Sequence, residues 1–230
     1  MIGIIGAMDV EVAILKEAMT LQRIDERAKM KFFVGQLCGR DVVIVKSGVG
    51  KVNAAACTQI LADRYEVSAI INTGVAGSLK NEINIGDIVV STDTLQHDME
   101  VTEFGYEPGE IPQMTKKEFA ADEGLRELIV AVCKEVNPEI GVHEGRVVSG
   151  DQFISDDRVK ARIAEVFAPS CTEMEGAAIG QTAWLNDIPF VIIRAISDKA
   201  DGSAHMDYDE FEAKAIEHTV RLLMGVLPRM

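Results

Sequence analysis

The run Pro189–Ile196 (PFVIIRAI) constrains the fold of this chain more than any other stretch. A strand with apolar, β-branched residues at nearly every position must be covered on both faces, as in a parallel sheet packed between helices. Arg194 interrupts the apolar run, and Ser197-Asp198 close it. In open α/β sheets ligands sit outside the carboxyl ends of the strands, so Ser197 and Asp198 fall where chemistry is commonly done. A carboxylate desolvated at such a point has a raised pKa and can hold or donate a proton near neutral pH. Ser and Asp are also favoured helix N-caps. The pair gains a functional reading from two other carboxylate positions set in similarly apolar surroundings.

Further strand patterns run over Ile2–Ala7, Phe32–Leu37, Val42–Ser47, Ala69–Thr73, Asp87–Ser91 and Gly145–Ser149. Helical spacing marks Val10–Met19, Val52–Asp63, Lys117–Val136, Asp157–Phe167, Glu175–Leu185 and Tyr208–Leu227. Leu37-Cys38-Gly39-Arg40-Asp41 reads as a hairpin turn. Strands and helices alternate with no repeat and no Pro/Gly/Ser linker, so residues 1–230 are expected to form one α/β domain with a mixed central sheet. The segment Leu95–Pro112 has weak periodicity and four breakers, and a long loop of that kind usually serves function or an interface.

The net charge of −14 argues against a nucleic-acid partner, which demands a basic face. No window of about 18 uncharged apolar residues is present, so no membrane span is expected. Met1 leads straight into IGIIGAM, which lacks the charged start of a signal peptide. Cys38, Cys57, Cys133 and Cys171 are isolated and read as core residues in a reducing, cytoplasmic setting. His97, His143, His205 and His218 are scattered, so no metal site is expected.

Several motifs invite chemistry. Gly3–Met8 follows the opening strand and Glu11 lies one turn into the next helix, but the glycines do not match the dinucleotide fingerprint. Ser47-Gly48-Val49-Gly50-Lys51 approaches a P-loop yet has Val45 and Val52 where Gly and Ser/Thr belong. Its glycines are read as a tight turn or a close approach to a ligand. Asn72–Ser78 (NTGVAGS) reads as a second small-residue turn at a strand end. Thr172–Ala178 (TEMEGAA) sets Glu173 and Glu175 around Met174 before small residues, a pattern that also suits a helix N-terminus. Ser149–Ile154 (SGDQFI) places Phe153 just after a strand, where its ring can stack on a base or fill a core.

Taken together and in order, GIIGAMDVEV, SGVGKVNAA, INTGVAG, VVSGDQFI, EMEGAA and RAISDKAD resemble the 5′-methylthioadenosine/S-adenosylhomocysteine nucleosidase family, over essentially the whole chain. The resemblance implies a nucleoside phosphorylase-type fold, a homodimer, and hydrolysis of an N-glycosidic bond to adenine and a 5′-thioribose sugar with no metal or cofactor. It implies Asp198 as the acid on adenine N7, oriented by Ser197, and Glu11 as the base on water, aided by Arg194. Glu175 would hold the ribose hydroxyls, with Met8, Glu173 and Met174 beside it. Phe153 would stack on adenine, the Ile154 backbone would read its edge, and Val75, Ala76 and Gly77 would line the pocket.

The same resemblance assigns Tyr208 to the 5′ substituent, and Val101, Phe104 and Pro112 to the partner subunit's site. Some members carry Ser at position 75, Gly at 78 and Phe at 208, where this chain has Val, Ser and Tyr. Three rivals remain at this level. A purine nucleoside phosphorylase of the same fold needs cationic groups for phosphate, typically Arg in glycine-rich turns, and the glycine turns here contain no Arg. A nucleosidase for futalosine-type nucleosides is the second. A non-catalytic adenosine-binding protein is the third, and it is expected to lack Glu11 or Asp198.

Overall fold

The computed structural model describes residues 1–114, 116–201 and 204–230, those at 204–210 by backbone alone. Among the described residues ten strands form one mixed sheet: β1 (Ile2–Gly6), β2 (Thr20–Arg27), β3 (Met30–Leu37), β4 (Arg40–Lys46), β5 (Ala69–Ser78), β6 (Ile88–Gln96), β7 (Phe119–Ala120), β8 (Val142–Ser149), β9 (Cys171–Glu173) and β10 (Phe190–Asp198). The α-helices of the described residues cover it: α1 (Asp9–Ala18), α2 (Lys51–Tyr65), α3 (Glu123–Val136), α4 (Asp157–Phe167), α5 (Gly176–Leu185) and α6 (Ala204–Val226).

β5 organises the sheet. One edge pairs in parallel with β10 from Ile70 to Gly77, while the other holds β1 at its start and β9 at its end. Because β10 also pairs with β6, and β6 joins β9 through β8, the strands β5, β10, β6, β8 and β9 close into a ring. β4, β3 and β2 continue the sheet outward from β1. Alternation along the strands sorts the core: Ile4, Ile71 and Ile193 pack toward α1, α3 and α6, whereas Ile5, Ile70 and Ile192 pack toward α2 and α5. Each such fully buried side chain contributes about 1.5–3 kcal/mol.

The double-sided burial expected at Pro189–Ile196 is found throughout β10, which continues through Ser197 and Asp198 with an irregular register at that point. Three expectations are corrected, and one strand is added. NTGVAGS is not a turn but the buried body of β5, where small residues make room for side chains from neighbouring strands. Lys117–Asp122 is not helical. β7 lies there, and α3 starts only where the Asp122 carboxylate accepts from Leu125 N–H. Cys38 is exposed, because it occupies the β3–β4 turn at φ +50°. β2 has no sequence signature, since nearly every residue of this edge strand is exposed on both faces. Among the described residues no helix is long and apolar enough to cross a membrane.

Candidate active site

The carboxyl ends of β1, β5, β9 and β10 open on a cavity of about 340 Å³, within the size range of small-molecule sites. Met8, Glu11, Val75, Ala76, Gly77, Phe153, Glu173, Met174, Glu175, Ser197 and Asp198 all line it. Ala7, Val49 and Thr172 complete the wall; each lies within a motif already marked, but none carries a signal of its own.

Glu11 sits in the first turn of α1, and its position is over-determined. Its Oε2 accepts from Ala7 N–H at 2.6 Å and from Met8 N–H at 2.9 Å, and Oε1 accepts from Val75 N–H at 3.2 Å. The Met8 bond is half of a capping box, so the carboxylate starts the helix as well as lining the cavity. Burial pushes the Glu11 carboxyl above its usual range, while the Arg194 charge and the three N–H donors pull the other way. A carboxylate whose burial and neighbours oppose each other in a cleft is a candidate proton acceptor.

Glu175 is the N-cap residue of α5, and its Oε1 accepts from Gly50 N–H at 2.8 Å. Gly50 has φ +96°, a conformation that frees its N–H for this role and suits glycine alone. Burial, reinforced by the Glu173 charge and opposed by Arg194, pushes the Glu175 carboxyl up to about 7. Glu173 at the end of β9 accepts from Gly176 N–H at 2.8 Å, from Glu175 N–H at 3.1 Å, and from the Ser149 hydroxyl.

Arg194 does not line the cavity. It lies behind the wall, 1% exposed, donating from Nη2 to Asn72 Oδ1 at 2.6 Å and to Glu173, with Glu175 Oε2 at 3.6 Å. Burial weakens its charge, but Glu173, Glu175 and Glu11 together hold the guanidinium protonated. One cation thus serves three buried carboxylates, an arrangement that persists only when every member is hydrogen-bonded. Gly74 makes the room. It faces Arg194 in register, and a Cβ there would stand 2.1 Å from Arg194 Nη1 and 2.4 Å from Glu11 Oε1. Asn72 and Ser149 were missed from sequence; the amide directly after the apolar run Ala69–Ile71 was the available signal for Asn72.

Across the cavity, Asp198 is buried, with Oδ2 accepting from Ser197 Oγ at 2.9 Å and Oδ1 from Ala200 N–H at 2.7 Å. Phe153 presents an exposed ring at the mouth, and Ile154 is buried in an adjoining recess shared with Gly77, Met174 and Asp198. Val101, Phe104 and Pro112 do not reach this cavity and lie on the surface loop after β6, where Phe104 is 81% exposed. The Tyr208 side chain lies outside the described residues. Among the described residues no group of three or more His, Cys, Asp or Glu side chains is arranged to hold a metal ion.

Comparison with known proteins identifies the family. The sequence profile of the phosphorylase superfamily matches residues 1–228. The 5′-methylthioadenosine/S-adenosylhomocysteine nucleosidase of an Exiguobacterium strain is 43% identical, covering 100% of this chain and 98% of the relative. The Neisseria meningitidis nucleosidase of the same name, solved with methylthio-immucillin-A, superimposes with a TM-score of 0.95 at 36% identity, covering 100% and 99% of the two chains. Futalosine hydrolase of Helicobacter pylori has a TM-score of 0.94 at 29% identity, covering 100% and 97%.

Proposed function

The chain belongs to the phosphorylase superfamily and, within it, to the 5′-methylthioadenosine/S-adenosylhomocysteine nucleosidases, N-glycosyl hydrolases; we propose that Glu11, Glu175 and Asp198 are the three groups that carry the reaction here. The observation behind the proposal is the lining of the cavity, which holds four carboxylates and no Lys, Arg or His among the described residues. A phosphorylase has to grip a phosphate dianion and needs cations for it. A hydrolase needs only water and a base.

The chemistry follows from the charge that develops. As the C1′–N9 bond lengthens, its electron pair passes to adenine and the ribosyl group becomes oxocarbenium-like. Asp198 delivers a proton to adenine N7 so that the base leaves neutral, and Ser197 holds the carboxyl in place through its 2.9 Å hydrogen bond. Glu11 takes the proton of the attacking water while its oxygen bonds to C1′. The ionised form of Glu175 holds the ribose hydroxyls, in the bound substrate as in the transition state, and its charge also favours the developing cation. Arg194 touches no substrate in this scheme. It keeps Glu173 and Glu175 in place and tempers the negative charge around Glu11.

Phe153 stacks on adenine, with Met8 and Met174 packed around the sugar and the Ile154 backbone at the edge of the base. Tyr208 takes the 5′ substituent. A homodimer completes the pocket, with Val101, Phe104 and Pro112 of each chain closing the partner's 5′ end. The exposed Phe104 ring supports that role, since a monomer leaves it in water. The four free cysteines suit a reducing, cytoplasmic compartment.

Adenine release from methylthioadenosine, with and without phosphate, tests the assignment. The expected result is one rate in both buffers, a free sugar product, and loss of about 10²–10⁴-fold in folded Asp198→Asn. A sugar 1-phosphate as the main product, or an Asp198→Asn enzyme of normal turnover, contradicts it.

A further inference from the structure

Lys51 ends the SGVGK turn and takes no part in the chemistry above, yet its side chain is only 18% exposed. Its Nζ donates to Asp98 Oδ1 at 2.6 Å and to Gln96 Oε1 at 2.9 Å, while its backbone N–H donates to Asp151 Oδ1 at 2.8 Å. The second oxygen of Asp98 accepts from the backbone N–H of Asp151 at 3.0 Å. One lysine and two aspartates therefore knit together three segments that are remote in sequence: the start of α2, the chain leaving β6 and the loop leaving β8.

Each segment leads to the cavity. Gly50, immediately before Lys51, gives its N–H to Glu175. Asp151 lies two residues before Phe153, in the loop expected to carry the adenine ring. Gln96 donates to Gln181 Oε1 at 2.6 Å in α5, the helix capped by Glu175. Burial alone raises the Asp98 carboxyl, but the Lys51 ammonium and the Asp151 N–H more than offset it and hold it below the usual range. Asp98 is thus ionised at neutral pH, and removing Lys51 leaves it part-buried without its cation.

We propose that Lys51 is a positioning residue that sets the spacing between the ribose-side carboxylate Glu175 and the base-side ring of Phe153. It acts through Gly50 and Asp151, and it does not line the cavity itself. The role rests on the nucleosidase reading for what Glu175 and Phe153 hold. Glu11 and Asp198 have their own anchors, at Ala7, Met8 and Val75 and at Ser197 and Ala200. Loosening the Lys51 clamp therefore weakens substrate binding more than it slows the chemical step.

The test uses full-length Lys51→Met and Asp98→Asn with methylthioadenosine as substrate and adenine as a calorimetric probe. KM and the adenine dissociation constant should each rise about tenfold in either variant, with a smaller change in kcat. The double variant should be no worse than the poorer single one, because both changes break the same link. A folded variant with wild-type KM and adenine affinity overturns the proposal, even if its Tm is lower, since a purely structural lysine behaves that way. Should Lys51→Met fail to fold, the KM of Asp98→Asn decides by the same criterion. A wild-type protein that releases no adenine refutes the nucleosidase reading, a result distinct from a variant with unchanged KM.

Discussion

Replacing Gly74 with alanine adds one methyl group at the point where Arg194 and Glu11 come closest. The new Cβ would lie 2.1 Å from Arg194 Nη1, 2.4 Å from Glu11 Oε1 and 3.0 Å from Glu11 Cδ, where ordinary contact starts at 3.4 Å. Each side chain must retreat by roughly 1 Å to relieve the overlap. Neither has slack. Glu11 is held by three backbone N–H groups, and Arg194 is fully enclosed and bonded to Asn72 and Glu173. Overpacking of this kind costs about 1–3 kcal/mol of stability, a fall of several degrees in Tm for a chain of this size. A base displaced by about 1 Å loses on the order of 10²-fold in rate. The assay is adenine release followed by ultraviolet absorbance, with circular dichroism and a thermal melt on the same sample. A folded Gly74→Ala enzyme whose kcat/KM equals that of the wild type would refute the claim that this glycine sets the position of the base.

Three other outcomes are expected. Glu175, with a pKa raised to about 7 against 4.5 in an unfolded chain, destabilises the fold as it ionises. Its contribution is therefore most favourable below 4.5 and is lost as pH rises through about 7. The Tm of Glu175→Gln relative to wild type should climb over that window, and a pH-independent difference contradicts the shift; wild-type kcat/KM should rise over the same window if ionised Glu175 is needed. Glu11→Gln should abolish hydrolysis while calorimetry still detects substrate, and loss of binding would reduce Glu11 to a helix-starting role. Phe104→Asp should raise KM for methylthioadenosine strongly, and mixing it with Glu11→Gln chains should restore activity, because one site of each mixed dimer then carries neither defect. Demonstrated subunit exchange without recovery rules out the shared pocket.

Much of the site was legible because burial on both faces leaves a mark in composition. β10 announces itself as an apolar run, and the polar residues that close it stand out against that background. β2 left no such mark, since its order comes from backbone pairing with β3 rather than from any buried face. NTGVAGS was misread because small residues signal a turn when nothing nearby is known to need the space. Only the fold reveals that Arg194 and Glu11 fill it. The same limit applies to Ser149 and Asn72, which act through partners 24 and 122 residues away in sequence. Phe153, Glu175 and Asp198 could be picked out because Asp198 closes β10, Glu175 caps α5 and Phe153 lies in the short loop after β8. The position of Arg194 behind the wall depends on strand register, which periodicity does not encode.

The double use of Glu11 bears on how a chain like this can diverge. Its carboxylate both starts α1 and lines the cavity. With Glu11 as the proposed base, selection for folding and selection for turnover fall on one codon. A descendant relieved of the reaction is not thereby free to drift at this position, because Ala7, Met8 and Val75 still need an acceptor. A lineage acquiring a different reaction in the same cavity must either keep the glutamate in a new role or rebuild the turn between β1 and α1 along with it. Innovation on this scaffold is thus easier at Phe153 or Phe104, exposed side chains that start no helix.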